Sequence, residues 1–119
     1  MMKNNEAQSL LKEWVNRLGL SDWRIKLYPN STEEETDNAV GSTEWQETIK
    51  TARINILDEK YYGDRVVPFD FEKTLVHELL HLKTCLLTDS DNDLQNRIGH
   101  MLIDDLARAL VSAKRYKLH

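Results

Sequence analysis

The segment from residue 70 to residue 87 constrains the fold more than any other part of the chain. Its apolar residues recur at helical spacing and form a broad stripe: Leu75, Val76, Leu79, Leu80, Leu82, Leu86 and Leu87. Asp70 is a favourable N-cap, and Glu72 in the first turn complements the helix dipole. The pattern therefore predicts a largely buried helix that ends near Leu87 or Thr88.

The residues before this helix predict one helix and three strands. Residues 5–18 follow helical spacing, and Gly19 supplies a left-handed stop. Residues 22–28 alternate between apolar and basic side chains, as in a half-buried strand that Pro29 ends. An acidic loop follows over 30–38. Residues 39–57 are typical of two strands joined near 47–50, and 58–68 form a connector rich in turn signals.

A last helix is expected after a polar break at 88–93, where Ser90 with Asp93 resembles a capping box. Its apolar residues at helical spacing are Leu94, Ile98, Met101, Leu102, Leu106, Ala109, Leu110 and Ala113. Strands followed by helices favour an α+β fold with helices on one face of a small sheet. The 119 residues fit a single domain spanning 1–119.

Composition excludes several classes of protein. The formal net charge of −4 argues against charge-driven binding of nucleic acid. The one cysteine, Cys85, cannot form an internal disulfide and is expected to be a small buried hydrophobe. No apolar segment is long enough to cross a membrane, and the first residues contain no apolar core of a signal peptide. A cytoplasmic protein is the expectation.

Within the central helix, the run His77-Glu78-Leu79-Leu80-His81 carries the chemistry. Helical residues four apart differ by about 40° around the axis and roughly 6 Å along it. His77 and His81 therefore project from one face and can bind the same zinc ion. Glu78 is placed to act as the general base towards a zinc-activated water. Chance gives such a motif on the order of 0.01 times in a chain of this composition.

A catalytic zinc site needs a third protein ligand and one open position. The remaining histidines are His100 and the terminal His119, and chain ends fray. Antiparallel packing of the last two helices can bring His100 opposite His81. Asp104, four residues later, can accept a hydrogen bond from a ligand imidazole, and it is the alternative third ligand.

These residues resemble the zincin signature of metallopeptidases. The HELLH run with its short spacing to the next helix looks like small gluzincin-like and SprT-like metallopeptidases of bacteria and phages. The phrase "LGLSDWRIKL" before a short sheet is similar to small phage-type zincins. His100 stands where gluzincins carry glutamate, which resembles the SprT-like pattern instead. Larger SprT-like proteins carry an additional DNA-binding or zinc-ribbon segment, which this sequence does not contain.

The resemblance implies a minimal zincin fold with a mostly antiparallel sheet of about three strands, an active-site helix and a backing helix. It implies a zinc-dependent peptidase whose edge strand holds an extended peptide or protein substrate. That strand would be Thr51 to Leu57 or Ala39 to Trp45. Two alternatives stay open: a zinc-bound module that binds peptides without cutting them, and a metal-free helix whose two histidines have no joint role. No pattern indicates an oligomeric state.

Peptide hydrolysis also calls for a group that stabilises the developing oxyanion. Tyr61, Tyr62 and Arg65 lie in the connector before the central helix and have suitable chemistry, although a packing or surface role fits each of them better. Trp14, Trp23 and Trp45 lie on apolar faces and are expected to pack in the core.

Overall fold

The computed structural model describes residues 2–88 and 92–116, and within the helix that ends at Thr88 it describes the side chains through Cys85. The side chains of Leu86 and Leu87, together with Ser90 and His119, lie outside the described residues. The elements in chain order are α1 (Asn4–Arg17), β1 (Arg24–Ser31), β2 (Gly41–Gln46), β3 (Thr51–Leu57), a 3₁₀ turn (Glu59–Tyr61), α2 (Phe71–Thr88) and α3 (Asp93–Arg115). The predicted α+β fold is confirmed.

Helix α1 ends as its sequence indicates. Gly19 adopts a φ of +68°, and the amide of Leu20 donates to the carbonyl of Val15 at 2.9 Å. The amide of Gly19 donates to Asn16 at 3.3 Å, which completes a Schellman motif. Leu20 is buried. The turn thus satisfies the last carbonyls of α1 and directs the chain into the sheet.

The three strands form one mixed sheet in the order β1-β3-β2. Strands β2 and β3 pair antiparallel through the turn at 47–50, whereas β1 pairs parallel with β3. The expectation of a mostly antiparallel sheet is therefore wrong for one of the two pairings. Successive strands alternate in direction, so placing β3 between the other two makes its pairing with β1 parallel.

Strand β1 does not stop at Pro29. It continues to Ser31, with an irregular register between Tyr28 and Ser31 and a positive φ at Asn30. Proline lacks an amide donor, but an edge strand with a bulge tolerates it. The prediction of a strand end at Pro29 was wrong for this reason.

Helix α2 forms the centre of the core. The part of its apolar stripe that the structure describes, through Leu82, is buried, with Leu75, Val76 and Leu79 fully inaccessible to solvent. The carboxylate of Asp70 accepts from the amide of Lys73 at 3.1 Å, which confirms the predicted N-cap. The helix packs against α1, β2, β3 and α3. Trp14 of α1 is also buried, and Trp23 and Trp45 are partly buried against the core.

An ion-pair network joins the N-terminal end of α2 to the other helices. Glu72 is buried, and its carboxylate accepts from the indole of Trp14 at 2.7 Å. Lys114 of α3 pairs with Glu72 and, at 3.0 Å, with Glu13 of α1. Because buried charges must be paired, this network fixes the relative positions of the three helices.

Helix α3 buries a different face from the one that its large apolar residues predict. Its buried residues are Gly99, Ile103, Ala107 and Val111, whereas Leu94, Ile98, Met101, Leu102 and Leu106 are exposed. Small residues at 99 and 107 allow α3 to approach α2 closely. The helix begins at Asp93 after Asn92, whose side chain accepts from the amide of Gln95. Asn92, not a box based on Ser90, is thus the cap that the structure describes.

Among the described residues, no helix combines the length and the apolar character that crossing a membrane requires.

Candidate metal centre

The HELLH run lies in a regular part of α2, so its histidines project as the helix geometry predicts. The ring centroids of His77 and His81 are 5.3 Å apart. A kink at Thr84, with non-helical φ and ψ, lies beyond the run and leaves it undistorted. His81 is buried, and His77 is partly buried.

The histidines and Glu78 together form a set of potential metal ligands. One ligand atom from each of His77, Glu78 and His81 lies within 4.8 Å of the others. Imidazole nitrogen and carboxylate oxygen are both donors that zinc accepts. The donor set therefore fits a zinc ion, with Glu78 close enough either to bind it or to act on a water beside it.

Burial keeps both imidazoles neutral. Burial lowers the pKa of His81 to about 4, and the nearby His77 and His100 add to the effect. Burial also lowers the pKa of His77, although Asp104 opposes this shift. A neutral imidazole has a free lone pair for a metal, so at neutral pH both side chains are in the form that binds one.

Glu78 is buried beneath strand β2. One of its carboxylate oxygens accepts from the hydroxyl of Thr43 at 2.6 Å. Burial raises the pKa of Glu78 to about 7, and the hydrogen bond from Thr43 partly offsets the rise. A carboxyl group that titrates near neutral pH suits proton transfer in both directions.

Every second residue of strand β2 contacts helix α2. Gly41 lies so close that an added Cβ would be 2.9 Å from the methyl carbon of Thr74 and 3.0 Å from a Glu78 oxygen. Two residues on, Thr43 binds Glu78, and two further on, Trp45 stacks on His81 with centroids 6.3 Å apart. These contacts were missed from the sequence. The alternation Gly41, Thr43, Trp45 on one strand face was the available signal.

His100 of α3 reaches the same site. Its ring centroid is 5.1 Å from that of His81, across the α2–α3 contact. His100 is exposed and does not belong to the set of ligand atoms within 4.8 Å of one another. The structure thus brings the predicted third ligand beside His81 without placing its nitrogen in the tight set.

Asp104 contacts the other histidine. Its carboxylate lies 3.5 Å from Nδ1 of His77, and Arg108 approaches the second oxygen at 3.4 Å. An acceptor at Nδ1 leaves Nε2 of His77 as the nitrogen for a metal. Asp104 is therefore placed as the predicted orienting residue.

The site opens into a groove between β2 and the two long helices. One cavity of about 360 Å³ is lined by Gly41, Ser42, Thr43, Trp45, His77, Glu78, His81 and His100. A second, of about 310 Å³, continues along α2 past Lys73 towards Val67 and Pro68. The two cavities share Gly41, His77 and Glu78, so they form one continuous groove.

The three candidate oxyanion stabilisers lie in different places. Tyr62 lines the second cavity, but its hydroxyl already donates to the carbonyl of Val67. Tyr61 and Arg65 are exposed and line neither cavity. Arg65 instead stacks over the ring of Tyr62 at 4.5 Å. Cys85 is buried and lines a separate cavity beside Gly19.

Comparisons of the chain with protein-family models, with curated proteins and with solved structures find no match.

Proposed function

We propose that this chain is a zinc-dependent metallopeptidase of the minimal zincin type. The observation that carries the proposal is the approach of His77, Glu78 and His81 to within 4.8 Å beneath an edge strand of the sheet. A zinc ion held there would lower the pKa of a bound water and polarise a substrate carbonyl. The HELLH resemblance supports the same assignment.

His77 and His81 are the proposed zinc ligands, and His100 is the proposed third. His100 is exposed, so a side-chain rotation can direct its ring towards the histidine pair without disturbing the core. Asp104 is the weaker candidate, because its carboxylate already contacts Nδ1 of His77. Its proposed role is to orient that imidazole.

Glu78 is the proposed general base. It takes a proton from the attacking water as the water oxygen bonds to the carbonyl carbon. It then delivers this proton to the amine as the C–N bond breaks. Thr43 holds the carboxylate in place during both transfers, through its 2.6 Å hydrogen bond.

Strand β2 is the proposed binding site for an extended peptide. It is the edge strand beside the groove, while β3 lies between β1 and β2 and has both edges occupied. Because β3 has no free edge, Thr51 to Leu57 is not available for pairing, and the segment that contains β2 is the proposed pairing edge. A peptide that pairs with the outer edge of β2 would pass over Glu78 and the histidines.

A cytoplasmic location belongs to the same proposal. The only cysteine of the chain is buried and unpaired, which suits a reducing compartment.

The experiment is cleavage of an unfolded protein such as casein by the zinc-loaded chain, with and without a chelator. The wild type should cleave, and chelation should stop it. Glu78→Gln should retain zinc and lose about 10²–10⁴-fold in turnover. Glu33→Gln, in the exposed acidic loop, is the matched control and should cleave normally. Turnover of Glu78→Gln near that of wild type would refute the assigned base. Zinc and peptide binding without cleavage would favour the non-catalytic module.

A further inference from the structure

Helix α3 exposes a second apolar face that nothing in the described structure covers. This α3 outer face consists of Leu94, Ile98, Met101, Leu102 and Leu106, which are 47–66% exposed. The face lies beside the buried stripe of Gly99, Ile103, Ala107 and Val111, on the solvent-exposed side of α3. Helices apolar on both sides are normally buried on both sides.

The size of this face suits an interface. Five large side chains, each about half exposed, give an apolar patch with an area on the order of 500 Å². This is near the upper end of the patch areas found on monomeric proteins. Two such patches against each other would remove about 1,000 Å² from water. This is close to the minimum for a specific protein–protein interface.

Two charged residues at the rim of the α3 outer face, Arg97 and Asp105, indicate that its partner is a second copy of the chain. Arg97 and Asp105 lie eight residues apart on either side of Met101. Arg97 forms no ion pair with any residue that the structure describes, and Asp105 pairs only within its own helix, with Arg108. A rim of both signs, on a chain of net charge −4, does not suit an anionic membrane surface.

We infer that the chain forms a symmetric dimer through an antiparallel pair of α3 helices. A two-fold axis near Met101 and Leu102 places Ile98 of one copy beside Leu106 of the other and Leu102 beside its own counterpart. The same axis puts Arg97 of each copy opposite Asp105 of its partner. In an isologous interface of this kind, Arg97 and Asp105 of each copy both have an oppositely charged partner, which gives two ion pairs per dimer.

The dimer leaves the metal centre accessible. His100 and Asp104 contact the α2 histidines, so they lie on the side of α3 that faces α2. The inference does not depend on the proposed peptidase activity, because it uses only the outer face and its rim charges.

The first test is the molar mass in solution, by sedimentation velocity at about 1 to 300 μM. The expected result is a shift from 13.9 kDa towards twice that mass as concentration rises. Leu102→Glu should keep the chain monomeric while its circular dichroism spectrum stays that of wild type. A wild type that stays monomeric throughout, or an unchanged dimer with Leu102→Glu, would overturn the inference.

The second test uses the two-fold symmetry directly. Arg97→Glu alone and Asp105→Lys alone each create two like-charge contacts, so each should raise the dimer dissociation constant about tenfold. An equimolar mixture of the two variants should form a heterodimer, because its two contacts become Glu with Lys and Arg with Asp. Lys12→Glu, an exposed change on α1, is the charge control and should dimerise normally.

Failure of the mixture to restore the dimer would contradict the antiparallel arrangement. Dimers of normal strength in both single variants would contradict it as well. A partner of another kind bound to this face would leave the wild type monomeric in pure solution, which is the overturning result of the first test.

Discussion

The two long helices differ in how they use their apolar residues. In α2 the large apolar side chains that the structure describes are buried, and the helix also buries polar groups, among them Glu78 and His81. In α3 the buried stripe includes Gly99 and Ala107, and several leucines face solvent. The candidate metal centre lies where the two meet. Helix α2 contributes the closely spaced His77, Glu78 and His81, and the more exposed α3 contributes His100 and Asp104.

The largest expected effect is the difference in unfolding free energy lost when a leucine of α2 or of α3 is truncated. Leu79→Ala in α2 removes a fully buried side chain and should lower the free energy of unfolding by about 2–5 kcal/mol. Leu102→Ala in α3 should lower it by under about 1 kcal/mol in dilute protein. Urea unfolding of both variants measures this. Equal losses would show that the outer face of α3 is packed within the monomer.

The pH dependence of the free energy of unfolding, measured on metal-free protein, tests the protonation states of the buried groups in α2. His81, with its pKa lowered to about 4, destabilises the fold as pH falls from about 6.5 to 4, because the unfolded chain takes up the proton first. Glu78, with its pKa raised to about 7, destabilises the fold as pH rises from about 4.5 to 7. In the wild type the two effects oppose each other.

Removing either Glu78 or His81 should therefore leave the pH dependence of stability that the other group contributes. Glu78→Gln should gain at least about 2 kcal/mol of unfolding free energy between about pH 4.5 and 6.5, because His77, whose pKa is also lowered, adds to the effect of His81. His81→Gln should lose up to about 2 kcal/mol over the same range, because His77 opposes the effect of Glu78. Urea unfolding at several pH values provides the measurement. A slope in Glu78→Gln that matches wild type would contradict the buried, protonated state of Glu78.

The contact between β2 and α2 predicts a smaller effect. Gly41→Ala adds a methyl group within 3.0 Å of Thr74, so the strand must shift and the free energy of unfolding should fall by about 1–3 kcal/mol. Glu44→Ala, at an exposed position of the same strand that does not line the groove, is the control. Thermal unfolding compares the two. Equal melting temperatures would show that β2 can move away from Glu78 at little cost.

The smallest effect distinguishes the partly buried ion pairs from the surface ones. Lys114→Ala leaves Glu72 with fewer partners and should cost about 1–2 kcal/mol. Lys50→Ala breaks its exposed pair with Asp22 and should leave the free energy of unfolding nearly unchanged. Salt titration of both unfolding transitions checks the assignment, since only the exposed pair should be strongly screened. Equal costs would show that the network does not hold the helices together.

Local geometry explains what the sequence could predict. The spacing of His77, Glu78 and His81 determines their arrangement, because a helix places residues four apart on one face. The Gly19 stop and the Asp70 cap are likewise local. Strand order depends on pairing between distant segments, so the parallel pairing of β1 and the central place of β3 could not be predicted.

Helix α3 shows a second limit on what can be predicted from sequence. Its large apolar residues marked one face, but the residues that pack on α2 are those small enough for close approach, Gly99 and Ala107 among them. The hydrogen bond from Thr43 to Glu78 also depends on the sheet lying over α2. Neither feature has a signature in a local window of sequence.

The decisive experiment for the metal centre is the zinc stoichiometry of wild type beside His100→Ala, by native mass spectrometry. We expect one zinc ion per chain in wild type and strong loss of zinc in the variant. Zinc retained in the variant would move the third ligand to Asp104 or elsewhere. A wild type that binds no zinc, even when zinc is supplied, would contradict the metal centre and leave HELLH as a helix with two histidines.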